Sequence, residues 1–148
     1  PQLTRFGARH ETILLSTTDD AGRGDEGRLL VHVWARVVPD VIIHPEPIHF
    51  GLVSATQGGQ AQAELRALVP GTRVRVLRAS FQGTRAESLQ CTFEPVGYVD
   101  PEGRCDRWSL SLSATPGMAP GRFQGTLECL TDHGGTPRVS AALQGVVR

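Results

Sequence analysis

Apolar and polar residues alternate with a period of two along most of this chain, the mark of half-buried strands. Leu29, Val31, Val33, Ala35 and Val37 share one side of an extended segment, opposite Leu30, His32, Trp34, Arg36 and Val38. Ala61, Ala63, Leu65, Ala67 and Val69 alternate with Gln62, Glu64, Arg66 and Leu68. Val74 and Val76, with Leu77 as a third apolar residue, are interleaved with Arg73, Arg75 and Arg78. Leu89, Cys91 and Phe93 form another alternating set, as do Trp108, Leu110 and Leu112. Phe123, Leu127 and Cys129 form the next, and Val139, Ala141, Leu143, Gly145 and Val147 the last. Gly58-Gly59, Pro70-Gly71, Asp100-Pro101-Glu102-Gly103, Pro116-Gly117 and Gly134-Gly135 are turn signals between these runs. Residues 60–68 are the best helical rival, but they are few and are bounded by Gly-Gly and Pro-Gly. Many short strands joined by Gly/Pro turns predict an all-β, antiparallel sandwich.

The chain repeats its own ending. Gly125-Thr126-Leu127-Glu128-Cys129-Leu130-Thr131, a turn and Val139–Val147 correspond to Glu11-Thr12-Ile13-Leu14-Leu15-Ser16-Thr17, a longer turn and Leu29–Val37. Thr12 matches Thr126, Ile13 matches Leu127, Leu15 matches Cys129 and Ala35 matches Gly145, with the faces in register throughout. Residues 1–39 therefore read as the last two strands of one repeat, and residues 40–148 as the whole of the next. The linker between them is almost absent. A hairpin alone is marginal in water, so 1–39 is expected to dock, pair with another chain or fray.

Composition excludes several function classes. Hydrophobic residues make up 39% of 148, with 17 glycines and 10 prolines, a globular mixture rather than a disordered one. Fifteen basic and fifteen acidic residues cancel, leaving no net field to recruit nucleic acid or an acidic membrane. No apolar run approaches the ~18 residues of a membrane span. The chain starts at Pro1 with no Met and no signal-peptide pattern, as expected of a piece excised or processed from a larger protein.

Val41-Ile42-Ile43-His44-Pro45-Glu46-Pro47-Ile48-His49-Phe50-Gly51 resembles the opening of bacterial Ig-like repeats of the ASH/Hydin-like kind. Pro120-Gly121-Arg122-Phe123-Gln124-Gly125-Thr126-Leu127 and Leu143-Gln144-Gly145-Val146-Val147 resemble their late strands. The resemblance implies an Ig-like sandwich of about seven strands over 40–148, preceded by a partial copy. Such domains often occur in exported or envelope proteins of bacteria. The family has no shared catalytic residues, so the resemblance carries none over. On the residues alone, Ile48 and Phe50 are expected to plug the sandwich and Gly51 to permit a bend. Pro45 and Pro47 suit an edge strand.

Candidate chemistry is sparse. Arg23-Gly24-Asp25 lies in the long turn of the partial copy, where an exposed guanidinium and carboxylate could reach a partner protein. Plain turn chemistry explains the same residues. Trp34 is expected to point outward and to serve as an interface anchor. His44, Glu46 and His49 could supply metal ligands, but the parity of His49 and the ordinary polarity of edge strands favour solvated surface. Cys91 and Cys129 fall on inward faces. They read as small core residues, with a Cys91–Cys129 disulfide as an alternative and a Cys91–Cys105 bridge as its rival. Cys105 is expected in a polar loop. Arg73, Arg75 and Arg78 form a basic stripe without the interleaved aromatics of nucleic-acid modules. Ser109, Ser111 and Ser113 read as sheet surface.

The expected function is a non-catalytic structural or protein-binding, adhesion-type module of a larger bacterial protein. That protein is expected at the periplasm, cell surface or outside the cell. Neighbouring repeats or another protein would be its partners, and no cofactor or metal is expected. The alternatives are an accessory domain of a multidomain enzyme, for example one directed at carbohydrate, and an intracellular scaffold domain.

Overall fold

The computed structural model describes residues 7–17 and 27–148. The chain divides into two compact units, Pro1–Pro39 and Asp40–Arg148. In the first, β1 (Gly7–Thr17) pairs antiparallel with β2 (Gly27–Val37), with Ile13 opposite Val31 and Leu15 opposite Leu29. Arg23-Gly24-Asp25 lies outside the described residues, as does the side chain of Trp34, whose backbone stands opposite His10.

The second unit is an all-β sandwich. Its strands are β3 (Val41–His44), β4 (Ile48–Val53), β5 (Gly59–Ala67), β6 (Val76–Gly83), β7 (Leu89–Pro95), β8 (Arg107–Ala114), β9 (Gly121–Thr131) and β10 (Arg138–Val147). One sheet has the order β3-β5-β8-β7 and the other β4-β10-β9-β6. With the split first strand counted as A, this is the A-B-E-D against G-F-C arrangement of an immunoglobulin fold. The expected Ig-like sandwich is thus the observed one.

The prolines explain the split. Neither Pro45 nor Pro47 has a backbone N–H to give to a ladder. β3 therefore ends on one sheet, antiparallel to β5, and β4 resumes on the other, parallel to β10. The β4–β10 register slips by one residue at Phe50, where Gly51 takes φ +66°. This bulge turns Phe50 inward, with Ile48 buried beside it.

Inward positions follow the period-two reading. Ala61, Ala63 and Leu65 of β5 are buried, as are Trp108, Leu110 and Leu112 of β8. Phe123, Leu127 and Cys129 of β9 meet Val139, Ala141, Leu143 and Val147 of β10 in the same core. Phe50 and Phe123 pack edge to face, ring centroids 5.5 Å apart. Gly145 lies opposite Phe123 in the ladder. A Cβ there would sit 2.5 Å from the Phe123 Cζ and 2.9 Å from the Phe50 Cβ, so the ring occupies the space that a side chain would need.

Two apolar residues depart from the pattern. β5 ends at Ala67, and Val69 stands exposed in the turn that follows. The β6–β9 register shifts between Val76 and Arg78. Leu77 is the extra residue of that bulge and is 52% exposed, because the ladder resumes with Ala79 and Phe81 facing inward.

Candidate functional site

Three connections meet at one end of the sandwich: residues 68–75, 96–106 and 132–137. Val74 and Cys105 form an isolated antiparallel bridge between the first two, with reciprocal N–H···O=C bonds of 2.9 and 3.1 Å. The indole Nε1 of Trp108 donates to the same Val74 carbonyl from beneath, at 2.9 Å in a buried position. Phe93 packs edge to face on that indole, centroids 5.9 Å apart. The loop end is therefore anchored in the core.

Asp132 ties the third connection to the other two. Its carboxylate accepts from the Arg75 backbone N–H at 2.8 Å and from the Arg104 Nε at 2.7 Å. Partial burial pushes the Asp132 pKa up. The Arg75 amide and the Arg104 guanidinium outweigh that effect and hold the carboxyl below its ordinary value. Asp100 closes the tip of 96–106, accepting the Arg104 backbone N–H on its Oδ1 at 2.7 Å. In the third connection, His133 accepts the Thr136 backbone N–H on Nδ1 at 3.0 Å, and its Nε2 lies 3.9 Å from Asp40 Oδ2.

What this frame presents outward is aromatic and basic. Tyr98 is 66% exposed, and the Arg73 guanidinium carbon lies over its ring, 4.7 Å from the centroid. Val99, Leu68 and Val69 are exposed on the same connections. Tyr98 was legible only as one aromatic among few. Its place under Arg73 depends on the Val74–Cys105 bridge, which local periodicity does not encode.

The expected polar position of Cys105 is corrected. Cys105 is fully buried, because its bridge to Val74 draws it under the loops, and its thiol donates to the Arg107 carbonyl at 2.7 Å. Cys91, Cys105 and Cys129 are all free thiols. Burial pushes the Cys91 thiol up to about 11. Burial first, then the neighbouring Cys91 and Glu128, push Cys129 up to about 12. Neither is a thiolate nucleophile near neutral pH.

The remaining candidates are dispersed. His44 and Glu46 are exposed beside β3, and His49 Nδ1 faces Gln144 Nε2 at 3.2 Å on the outer side of the other sheet. Among the described residues no three His, Cys, Asp or Glu side chains form a metal-binding group. His49, Leu52, Arg122 and Gln144 line a shallow hollow of about 450 Å³. Ser109, Ser111 and Ser113 lie on the polar face of β8, between Glu64, Gln62 and Gln60 of β5 and Glu94, Thr92 and Gln90 of β7, respectively. No helix among the described residues is long and apolar enough to cross a membrane.

No family model matches the chain, and no curated protein does. A Porphyromonas gingivalis W83 protein of unknown function has a TM-score of 0.49 at 13% identity, with 99% of this chain covering 68% of that one. A family 123 glycoside hydrolase from Clostridium perfringens has a TM-score of 0.47 at 11% identity, over 68% of this chain. The match spans 23% of the hydrolase's length. An ASH/PapD-like domain of human CEP192 has a TM-score of 0.40 at 16% identity, covering 74% of this chain and 84% of that one. The class of the second unit, an Ig-like β-sandwich, rests on its own strand order.

Proposed function

We propose that this chain is a non-catalytic, protein-binding module of a larger, exported bacterial protein, of the ASH/Hydin-like kind of Ig-like repeat. The observation that carries the reading is Tyr98, largely exposed yet held by Arg73 on a loop end braced through Val74, Cys105 and Asp132. A rigid amphipathic ring beside a guanidinium is the kind of anchor that dominates protein interfaces. The repeat kind is supported by the opening motif, whose Ile48 and Phe50 enter the core and whose Gly51 forms the bulge. Tandem organisation is supported by register. Ile13 opposite Val31 corresponds to Leu127 opposite Ala141, and Leu15 opposite Leu29 to Cys129 opposite Val139.

The test replaces Tyr98 by a photo-crosslinking phenylalanine analogue in the parent protein, in the organism that makes it. The reading predicts a discrete adduct with another polypeptide, diminished by Arg73→Ala and formed on protein that external protease can reach on intact cells. Turnover of a substrate by the purified chain, with no adduct at position 98, would overturn it.

A further inference from the structure

The sandwich is unevenly closed. On one side β3 and β4 divide between the sheets, while on the other β6 and β7 end their respective sheets as neighbours. Between those two edges the core is only half covered. Ala79 and Phe81 of β6 and Cys91 and Phe93 of β7 pack on the core yet remain partly exposed. Two aromatic rings and two small side chains therefore form an apolar seam flanked by strand edges.

The edges differ. Val96 donates to Arg107 at 2.9 Å, which turns Glu94, Thr92 and Gln90 toward β8 and leaves Pro95 on the free edge of β7, where it supplies no donor. On β6 the Thr84 N–H donates to Gln124 at 3.1 Å. By ladder parity Gln82, Ser80 and Arg78 face β9, so the N–H and C=O groups of Ala79, Phe81 and Gly83 point to the open edge. Among the described residues no strand pairs with that edge, and no proline lies within β6.

Charge indicates what the edge accepts. The segment leading into, along and out of β6 carries Arg73, Arg75, Arg78 and Arg85. Arg73 lies over the Tyr98 ring, Arg75 donates to the Glu102 carbonyl at 3.4 Å and Arg85 binds the carbonyls of Pro120 and Gly121, so the cation presented on the strand itself is Arg78, exposed and in no salt bridge with a carboxylate among the described residues. The β6 edge of a second copy would bring the same arginines, and like charges across a ladder are unfavourable.

We infer that β6 accepts an extended acidic polypeptide segment as an added strand, with apolar residues at alternate positions covering Phe81 and Phe93 and carboxylates between them facing Arg78. This site deepens the protein-binding reading and lies apart from Tyr98. Main-chain bonds would supply affinity and the alternation specificity.

The probe is a fluorescein-labelled nine-residue peptide alternating valine and glutamate, titrated with the full chain and followed by anisotropy. Saturable binding is expected, weakened by added salt. A valine–lysine peptide should bind at least ~10-fold more weakly, and Arg78→Glu should cost the acidic peptide about 10-fold, a difference near 1.4 kcal/mol. Ala79→Pro, which removes an edge-facing donor while sparing the bonds to β9, should abolish binding. Thermal melts check that each variant folds, and the exposed Arg78→Glu serves if Ala79→Pro does not. Equal affinity for the two peptides, undiminished binding by folded Ala79→Pro, or no binding of the acidic peptide would overturn the assignment. So would a dimer of the chain alone that Ala79→Pro dissociates, since a second copy would then be the occupant. None of these results bears on crosslinking at position 98, so the two proposals fail separately.

Discussion

Gly145→Ala separates steric packing from backbone propensity by the sign of its effect. In a strand, replacing glycine by alanine at a compatible site stabilises by about 0.4–1 kcal/mol, through the unfolded chain. Here the new methyl would meet Phe123 Cζ at 2.5 Å and Cε1 at 2.6 Å, where ordinary contact begins near 3.4 Å. The ring would have to retreat by roughly 0.9 Å, yet it is only 2% exposed and is braced by Phe50. Overpacking of this kind costs about 1–3 kcal/mol. At about 4–8 °C per kcal/mol for a domain of this size, the midpoint should fall by roughly 4–24 °C. Paired melts of wild type, Gly145→Ala, Phe123→Leu and the double variant are the assay. Leucine vacates the ring's far edge, so the double variant should be more stable than the sum of the single effects predicts, by about 1 kcal/mol or more. Additivity within ~0.3 kcal/mol, or a rise in midpoint for Gly145→Ala, would refute the packing account.

Trp108→Phe removes the indole donor to Val74 but leaves that carbonyl its bond from Cys105; urea unfolding should show a loss of about 2 kcal/mol from one hydrogen bond and reduced packing. In the native chain at pH 8, Cys91 and Cys129 should resist iodoacetamide, as their raised values of about 11 and about 12 require, and both should react in denaturant. Because the Asp132 pKa is lowered by folding, its contribution to stability is present above the ordinary carboxylate pKa and disappears as pH falls through the lowered value. Melts of wild type and Asp132→Asn should therefore differ at pH 7 and converge in acid.

The fold was legible where period two met no interruption. β5, β8, β9 and β10 each bury the side that alternation selects, because an antiparallel sandwich needs one apolar face per strand. Legibility failed where one residue changes parity. Straight alternation from Val74 and Val76 would carry Arg78 and Ser80 inward, but the bulge at Leu77 brings Ala79 and Phe81 to the core instead, and a bulge is set by the partner strand. Pro45 and Pro47 announced an edge, but their division of the strand between sheets depends on where β10 can receive Ile48–Val53. The loop end was least legible. Cys105 stands among Glu102, Arg104, Asp106 and Arg107 and reads as surface, yet a bridge to a residue 31 positions earlier buries it. Tyr98 and Arg73 meet by the same long-range pairing.

Whether the sandwich is open along β6 is tested most directly by amide hydrogen exchange at single-residue resolution. With β6 unpaired on its outer side, the N–H groups of Arg78, Ser80 and Gln82 should be protected and those of Ala79 and Phe81 should exchange much faster, in strict alternation. On addition of the acidic peptide, Ala79 and Phe81 should gain protection. Strong protection of Ala79 and Phe81 in the free monomer would contradict an open edge.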